Sequence, residues 1–388
     1  MKLSAPLIAL LLVTFAFCAP VAPVFEDTAA LTTAEGLGIG SRYIGMGGAG
    51  VAVVDDAASL YWNPAGLSYG EGNELEIDAY GQVNDVDLLS KLRHGISILR
   101  RGSSNLSSDD VNDLVGIAQQ ANGRPLEGTA GAIAALRLHH FALGAWGRGV
   151  GDFEFNWNGS LTSPIVSAGG VPGDEDINTT AVNSAGTLTP ALVAWSINAG
   201  LGWAKQWSPK VRAGFTLRQQ MIDVRQATAS GSIVSGVSSG TVSEVFEDHA
   251  EKYTGDLGFI FTPEDNIRLG LVLRNLAEPE YRLGYNGSVL DVPTSRSLDA
   301  GFAAFSGDHR TIVAGDLHNL TSADGGHGSF HLGIEHRFTN WFTLRMGTAT
   351  DNSFCWGFDL IPFKALVLRA ASSTSLGQQL GAGVQLRF

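Results

Sequence analysis

Residues 41–69 of this 388-residue chain read SRYIGMGGAGVAVVDDAASLYWNPAGLSY. Four glycines lie near its start, namely Gly45, Gly47, Gly48 and Gly50. Glycine lets a backbone pack closely and take positive φ angles, and so many glycines disfavour a stable helix. Charged residues are few, so the stretch is too apolar for a solvated linker. The pattern predicts a compact, buried, irregular plug.

The middle of this stretch carries the signals of one short helical turn. Asp55 or Asp56 can cap a turn over residues 57–60 through its side-chain oxygen. The pair Asn63-Pro64 then ends that turn, because the residue before a proline is disfavoured in the α region. We therefore expect a capped turn that stops at Asn63.

The run GMGGAGVAVVDDAASLYWNPAGL resembles the N-terminal hatch of the FadL-type outer-membrane proteins. The most specific part is Asp55-Asp56-Ala57, the aromatic pair Tyr61-Trp62, and Asn63-Pro64-Ala65-Gly66. That superfamily includes fatty-acid and hydrocarbon channels, PorV-like secretion partners and TraF-like conjugation-associated proteins. The resemblance implies a hatch over residues 19–72. It assigns the hatch and ligand path to Gly45, Gly47, Gly48, Gly50, Asp55, Asp56, Asn63, Pro64, Ala65 and Gly66.

The first 18 residues have the form of a secretory signal peptide. Lys2 precedes the apolar run from Leu7 to Phe17, which is too short to span a bilayer as a helix. We place cleavage after Cys18, and the alternative is that Cys18 becomes a lipidated N-terminus. If Cys18 is removed, Cys355 has no cysteine partner within the chain.

Composition narrows the class of protein. Glycine is 49 of 388 residues, charged residues are 16%, and the formal net charge is −13. The acidic balance argues against nucleic-acid binding, which needs a basic face. No other apolar run is long and uninterrupted enough for a transmembrane helix. A long, glycine-rich, exported chain of this kind fits a transmembrane β-barrel.

The C-terminal half shows the alternation of strands with one apolar and one polar face. In residues 378–388, Leu380, Val384 and Leu386 share a face, while Gln379, Gln385 and Arg387 share the other. Further arginines fall on the polar faces of such runs: Arg212, Arg218, Arg268, Arg274 and Arg345. A soluble sandwich and a barrel with a wet lumen both produce this alternation. The signal peptide, the chain length and the terminal Phe388 favour the barrel.

The last residues resemble the signal that the outer-membrane barrel assembly machinery reads. Gly383, Leu386 and the terminal Phe388 match its spacing, although Gly381 replaces the polar residue that usually opens it. The resemblance therefore adds that machinery as a partner.

Turns and loops divide residues 73–388 into an antiparallel all-β barrel of about 14 strands. Short turns are predicted at residues 207–210, 262–266 and 339–340. The polar segments 160–188 and 227–252 are predicted to be extracellular loops. Counting gives fourteen to sixteen strands, and the resemblance implies fourteen.

A helical insert interrupts the strand pattern at residues 84–122. Apolar residues recur there at helical spacing, and Ser107 with Asp110 forms a capping box for a second helix that ends at Asn122-Gly123. We consider two roles for this helical pair. It either packs on itself and caps the barrel, or it captures hydrophobic ligand at the outer surface. Its basic residues suit lipopolysaccharide phosphates or a ligand carboxylate: Lys91, Arg93, His94, Arg100 and Arg101.

Two stretches match the consensus sequences of functional motifs but lack the structural context that those motifs require. The G-x-G-x-x-G at residues 45–50 lacks the preceding strand and long following helix of a dinucleotide site. The G-x-S-x-G at residues 66–70 follows a proline instead of a strand. The nine histidines are scattered, and His331 and His336 point to opposite faces of one strand. We expect no enzyme activity, no cofactor and no metal site.

The resemblance implies a channel in the bacterial outer membrane for small hydrophobic molecules such as long-chain fatty acids or hydrocarbons. Its partners would be that ligand, outer-membrane lipid and lipopolysaccharide. The alternative is a docking barrel of a secretion or conjugation system that carries no small molecule and binds a secretion-system protein. A continuous apolar pocket against the hatch would favour the channel. A polar, filled lumen would favour docking, and the inward arginines lean toward it.

Overall fold

The computed structural model describes residues 38–70, 72–99, 108–157, 186–188, 191–230, 241–285, 288–321, 328–350, 353–374 and 378–388. The signal peptide, the first part of the predicted hatch, Cys18 and Ser107 lie outside these residues. So do Arg100, Arg101 and most of the predicted loop at 160–188.

The described helices all lie in the first third of the chain. They are α1 (Ser41–Gly45), α2 (Ser59–Trp62), a 3-10 helix (Pro64–Tyr69), α3 (Val86–Leu99) and α4 (Ser108–Ala121). The strands are β1 (Asn73–Val83), β2 (Pro125–Leu138), β3 (Phe141–Trp157), β4 (Gly186–Leu188), β5 (Ala191–Ser208), β6 (Val211–Ser230), β7 (Thr241–Glu264), β8 (Ile267–Arg274), β9 (Glu280–Tyr285), β10 (Ser288–Pro293), β11 (Ser297–Phe305), β12 (Thr311–His318), β13 (Ser329–Arg337), β14 (Phe342–Ala349), β15 (Phe354–Phe363), β16 (Leu366–Ser373) and β17 (Gln378–Arg387).

Fourteen of these strands form a closed antiparallel barrel, which confirms the predicted fold. Each strand pairs with the next one in the chain, apart from β4, β9 and β10, and β1 closes the ring on β17. The closing register runs from Glu74 opposite Arg387 to Val83 opposite Gln378. β4 pairs with the end of β3, while β9 and β10 form a separate hairpin.

The predicted division into two faces is also confirmed. Phe215, Leu217 and Leu271 are exposed on the outer surface, whereas Arg218, Arg274 and Arg345 are buried inside. This arrangement inverts that of a soluble protein and fits a barrel with lipid outside and a polar lumen. Large aromatic side chains are exposed beside the short turns, among them Trp207, Trp341, Phe363 and Phe388. Such a belt is typical of the membrane–water interface.

Six short turns lie at one end of the barrel, together with the start of β1 and the end of β17. The three predicted turns are among them. One loop prediction is wrong: residues 227–252 are largely strand, because β6 continues to Ser230 and β7 begins at Thr241. These strands are rich in polar residues, so the alternation of apolar and polar residues did not predict them.

Helices α3 and α4 form the predicted pair between β1 and β2, where Leu88 and Ala121 pack with Val83 and Leu126. Within the described part of the chain, no helix is long and apolar enough to cross a membrane.

Candidate functional site in the barrel interior

Residues 38–70, here called the inner segment, lie against the inward faces of the strands and are almost wholly buried. The expected irregular plug in fact contains α1, α2 and the 3-10 helix. The carbonyl of Gly40 accepts hydrogen bonds from the amides of Tyr43 and Ile44, which starts α1 despite the nearby glycines. Burial against the barrel therefore overrides the low helix propensity of this stretch.

The four glycines serve two different purposes. Gly47 and Gly48 have φ angles of +67° and +87°, which side chains rarely allow. Gly45 and Gly50 have no such angle and instead allow close approach. A β-carbon on Gly45 would lie 3.1 Å from the Gly357 backbone, and one on Gly50 would lie 2.7 Å from the Trp62 ring.

The expected aspartate cap is wrong. No side chain caps α2, which begins after Ala58. Asp55 and Asp56 bind Arg42 instead, at 2.6 Å and 3.1 Å, and Asp56 also accepts a 2.6 Å hydrogen bond from the Tyr43 hydroxyl. The buried Arg42 guanidinium forms stronger, charge-assisted hydrogen bonds with Asp55 and Asp56 than a helix cap would provide.

The Asn63-Pro64 pair ends α2 at Trp62, as predicted, and Asn63 is extended. The chain then continues as the 3-10 helix, which the sequence did not predict. Asn63 caps that helix, because its Oδ1 accepts from the Ala65 amide at 3.1 Å, while its Nδ2 donates to the Val51 carbonyl at 2.8 Å and the Phe259 carbonyl at 3.3 Å. Gly66 leaves room for Val54 and Ser59.

One side of the interior is ionic. Arg42 of α1 pairs with Glu335 on β13, Glu335 pairs with Arg345 on β14, and Arg345 pairs with Asp359 on β15. Arg369 on β16 pairs with Asp56 of the inner segment and with two strand residues, Glu76 of β1 and Asp359 of β15. Alternating cations and anions thus offset the cost of burying each charge.

Two histidines and an aspartate hold the glycine turn of the inner segment. Asp316 accepts from the amides of Gly50 and Val51 at 2.6 Å and 2.7 Å. His331 Nδ1 lies 2.5 Å from the Gly47 carbonyl, and His318 Nε2 lies 3.2 Å from the Gly48 carbonyl. The sequence analysis did not predict Asp316 and His318 as site residues. Both lie at alternate positions of β12 that face the interior, so the strand pattern could have indicated them. His336 faces away from His331, as predicted, and contacts Thr311.

The other side of the interior is apolar. Leu60 and Leu67 belong to a buried cluster with wall residues of β2, β3 and β5. Wall glycines make room for this cluster. A β-carbon on Gly144 would meet Leu60 at 3.0 Å, and one on Gly202 would meet Leu67 at 3.0 Å. The apolar contacts continue toward the short-turn end, where Ala142 and Ala204 complete the cluster beside the buried Arg137–Glu74 ion pair.

A cavity of about 50 Å³ lies beside the start of the inner segment. Its lining includes Gly38, Ile39, Tyr61, Tyr80, Trp146, Arg148, Ser196, Asn198, Arg218, Gln220, Asp256 and Arg274. Arg274 donates to the carbonyls of Tyr61 and Trp62 and pairs with Asp299. The cavity is thus walled by aromatic rings and by hydrogen-bonded polar groups.

Tyr69 marks the short-turn end of the inner segment. The guanidinium carbons of Arg212 and Arg268 each lie 3.8 Å from the centre of its ring. The Tyr69 hydroxyl lies 3.0 Å from Thr262 Oγ1. The ring is held by cation–π contacts with two strands.

The interior defines a class: a closed barrel whose lumen is filled by its own N-terminal segment. Three solved structures share the fold. The toluene transporter TbuX of Ralstonia pickettii has 16% identity and a TM-score of 0.53, covering 91% of this chain and 99% of TbuX. The monoaromatic hydrocarbon channel CymD has 13% identity and a TM-score of 0.52, covering 91% and 98%. A Pseudomonas aeruginosa FadL homologue has 11% identity and a TM-score of 0.51, covering 96% and 99%.

This chain therefore has the fold of the FadL-type proteins, and the resemblance is confirmed at the level of fold. The apolar outer surface of the closed barrel fits a location in a lipid bilayer. No family model and no curated protein matches the sequence.

Proposed function

We propose that this protein is an outer-membrane channel for small hydrophobic molecules and that its inner segment acts as the hatch. The apolar side of the interior carries the proposal. It runs between the inner segment and the wall of β2, β3 and β5, from the cavity at Trp146 toward Ala204 near the short-turn end. The structures with the same fold are described as transporters or channels, which supports transport over catalysis.

Passage requires the inner segment to move. The cavity of about 50 Å³ is smaller than the roughly 150 Å³ cavity that accommodates benzene in another protein. A sideways exit between β3 and β5 finds no support, because their pairing is continuous from Phe141–Trp203 to Asp152–Leu192. We infer that the ionic side anchors the segment and that the apolar side opens.

A disulfide across the apolar side tests this movement. Leu67 of the 3-10 helix lies against Gly202 of β5, since a β-carbon on Gly202 would lie 3.0 Å from Leu67 Cδ1. The double variant Leu67→Cys/Gly202→Cys, in a Cys355→Ser background, places two thiols within reach of a bond. Toluene uptake would be measured in intact cells whose lipopolysaccharide leaflet excludes apolar solutes, under oxidising and reducing conditions.

We expect uptake by the reduced variant and by the Cys355→Ser control, and loss of uptake on oxidation. Equal uptake by the oxidised and reduced variant would refute a moving hatch. Failure of the control protein to transport any apolar solute would refute the channel itself.

The ionic side favours a second candidate, the docking barrel of a secretion or conjugation system. A lumen crossed by Arg42, Glu335, Arg345 and Asp359 is polar and filled. Affinity purification of the intact protein from its own envelope tests this. A stoichiometric exported or periplasmic protein, together with absence of solute uptake, would favour docking.

Two further partners belong to this proposal. Lys91, Arg93 and His94 on α3 lie in the loop region, where lipopolysaccharide phosphates would meet them. Gly383, Leu386 and Phe388 would be read by the barrel assembly machinery. Gly383 faces Asp78 across the closing seam, and Phe388 exchanges two 3.0 Å backbone hydrogen bonds with Asn73.

A further inference from the structure

The hairpin of β9 and β10 turns its apolar face into the mouth of the barrel. Tyr281, Leu283 and Val292 are fully buried, whereas Glu280 and Arg282, which alternate with the first two along β9, are exposed. The three buried side chains pack with Ala194, Ile222 and Val224, which are inward positions of β5 and β6. The hairpin thus fills an apolar chamber that the barrel wall provides.

This chamber lies directly beyond the cavity. Along β6, Gln220 lines the cavity and Ile222 lines the chamber two positions further on. Along β5, Ser196 lines the cavity and Ala194, two positions away, lines the chamber. Because alternate residues share one face of a strand, chamber and cavity are consecutive parts of one inner surface. A molecule entering from the loop end reaches the chamber first.

The Tyr281 hydroxyl reaches the border between the chamber and the cavity. The Tyr281 hydroxyl donates to Oε1 of Gln220 at 3.2 Å, and the same oxygen accepts from Arg218 at 3.0 Å. The Gln220 amide nitrogen donates to Ser196 at 3.0 Å, which fixes its orientation. Burial raises the pKa of Tyr281 to about 12, although nearby Arg218 lowers it, so the hydroxyl remains a donor at neutral pH.

Hydrogen bonds join the hairpin to the barrel both at its base and at its outer part. At its base, Asn275 hydrogen bonds to Arg218 and to Asp256, and both Asn275 and Glu278 have positive φ angles. At its outer part, the Gly284 amide donates to Asp248. The hydrogen bonds at the base therefore join the hairpin to Arg218 and Asp256, which line the cavity.

We propose that the chamber is an outer binding site for small neutral phenols, which Tyr281 occupies in the closed state. The ring of the ligand would replace the Tyr281 ring against Ile222 and Val224, and its hydroxyl would donate to Gln220. This inference rests on the proposed channel function and narrows its substrate class. A ligand without a donor forfeits one buried hydrogen bond, which corresponds to about a tenfold weaker response.

Hydrogen–deuterium exchange of the full-length protein in detergent tests the site, with p-cresol and 4-methylanisole as matched probes. The two share the ring and methyl group, but only p-cresol donates a hydrogen bond. We expect p-cresol to accelerate exchange of the β9–β10 amides at about tenfold lower concentration than 4-methylanisole. Gln220→Leu should abolish this difference, whereas Gln219→Leu should preserve it, because Gln219 bonds Glu251 at the surface.

A second variant covers the case in which Gln220→Leu does not fold. Tyr281→Phe removes the hydroxyl of the internal occupant, so p-cresol should act at lower concentration than on the unmodified protein. Equal responses to the two probes, or no response of the hairpin to either, would overturn the phenol site. If toluene uptake persists with such a result, the channel function stands and only the phenol site fails. If the hairpin responds to p-cresol but no uptake occurs, the phenol site stands and the channel function fails.

Discussion

Arg42 and Glu335 lie 293 positions apart and form a two-point ion pair inside the barrel, with Nε–Oε2 at 3.0 Å and Nη2–Oε1 at 3.3 Å. The pair joins the first helix of the inner segment to β13 near its C-terminal end. Glu335 also binds Arg345 at 2.6 Å, so one carboxylate serves two guanidinium groups. This contact fixes the position of the inner segment against the wall.

Replacing this carboxylate should loosen the inner segment. Glu335→Gln leaves Arg42 and Arg345 buried with one fewer anion, so we expect a loss of about 3 kcal/mol in the free energy of unfolding. Guanidinium titration followed by tryptophan fluorescence measures it. Asp87→Asn, which breaks a surface ion pair with Lys91 on α3, is the matched control and should leave unfolding unchanged. Equal stability of both variants would contradict the anchoring role.

Wall glycines should be as necessary as the ion pairs. A β-carbon on Gly270 of β8 would lie 2.6 Å from the Val51 carbonyl oxygen, which is closer than atoms pack. Gly270→Ala should therefore destabilise the protein by about 1–3 kcal/mol, because inner segment and strand must separate. Gly307→Ala in a short turn meets nothing within 4 Å and should be neutral. Thermal unfolding of the two alanine variants would decide the matter, and identical midpoints would exclude close packing at Gly270.

The sequence predicts the faces of the strands but not their partners. Period-two alternation placed Arg345 inside and Met346 outside, because parity alone decides the face. The same alternation cannot tell that Arg42 meets Glu335, since that depends on register across the closed ring. The cap predicted for Asp55 or Asp56 failed for the same reason: Arg42 and Arg369 reach the site only in the folded barrel. Tertiary burial likewise produced α1 where propensity argued against a helix.

The stacking of Arg212 and Arg268 on Tyr69 should stabilise the short-turn end of the inner segment. Tyr69→Leu removes both cation–π contacts and should cost about 1–2 kcal/mol in unfolding free energy. Tyr69→Phe keeps the ring and loses only the contact with Thr262, so its cost should be near 1 kcal/mol or less. If phenylalanine proves as damaging as leucine in denaturant titrations, the ring contacts are not what holds this end.

The terminal aromatic residue should act in assembly and not in the stability of the finished barrel. The Phe388 side chain is 68% exposed, and its contacts with Asn73 use only the backbone, so Phe388→Ala removes little from the folded state. We expect a severalfold drop in the folded, heat-modifiable band in membranes, while protein refolded in detergent unfolds at the same denaturant concentration as the original. Phe363→Ala is the matched control, since Phe363 is 70% exposed beside a turn at the same end. Equal membrane levels of the two variants would mean that Phe388 is one more interfacial aromatic and that the assembly machinery reads something else.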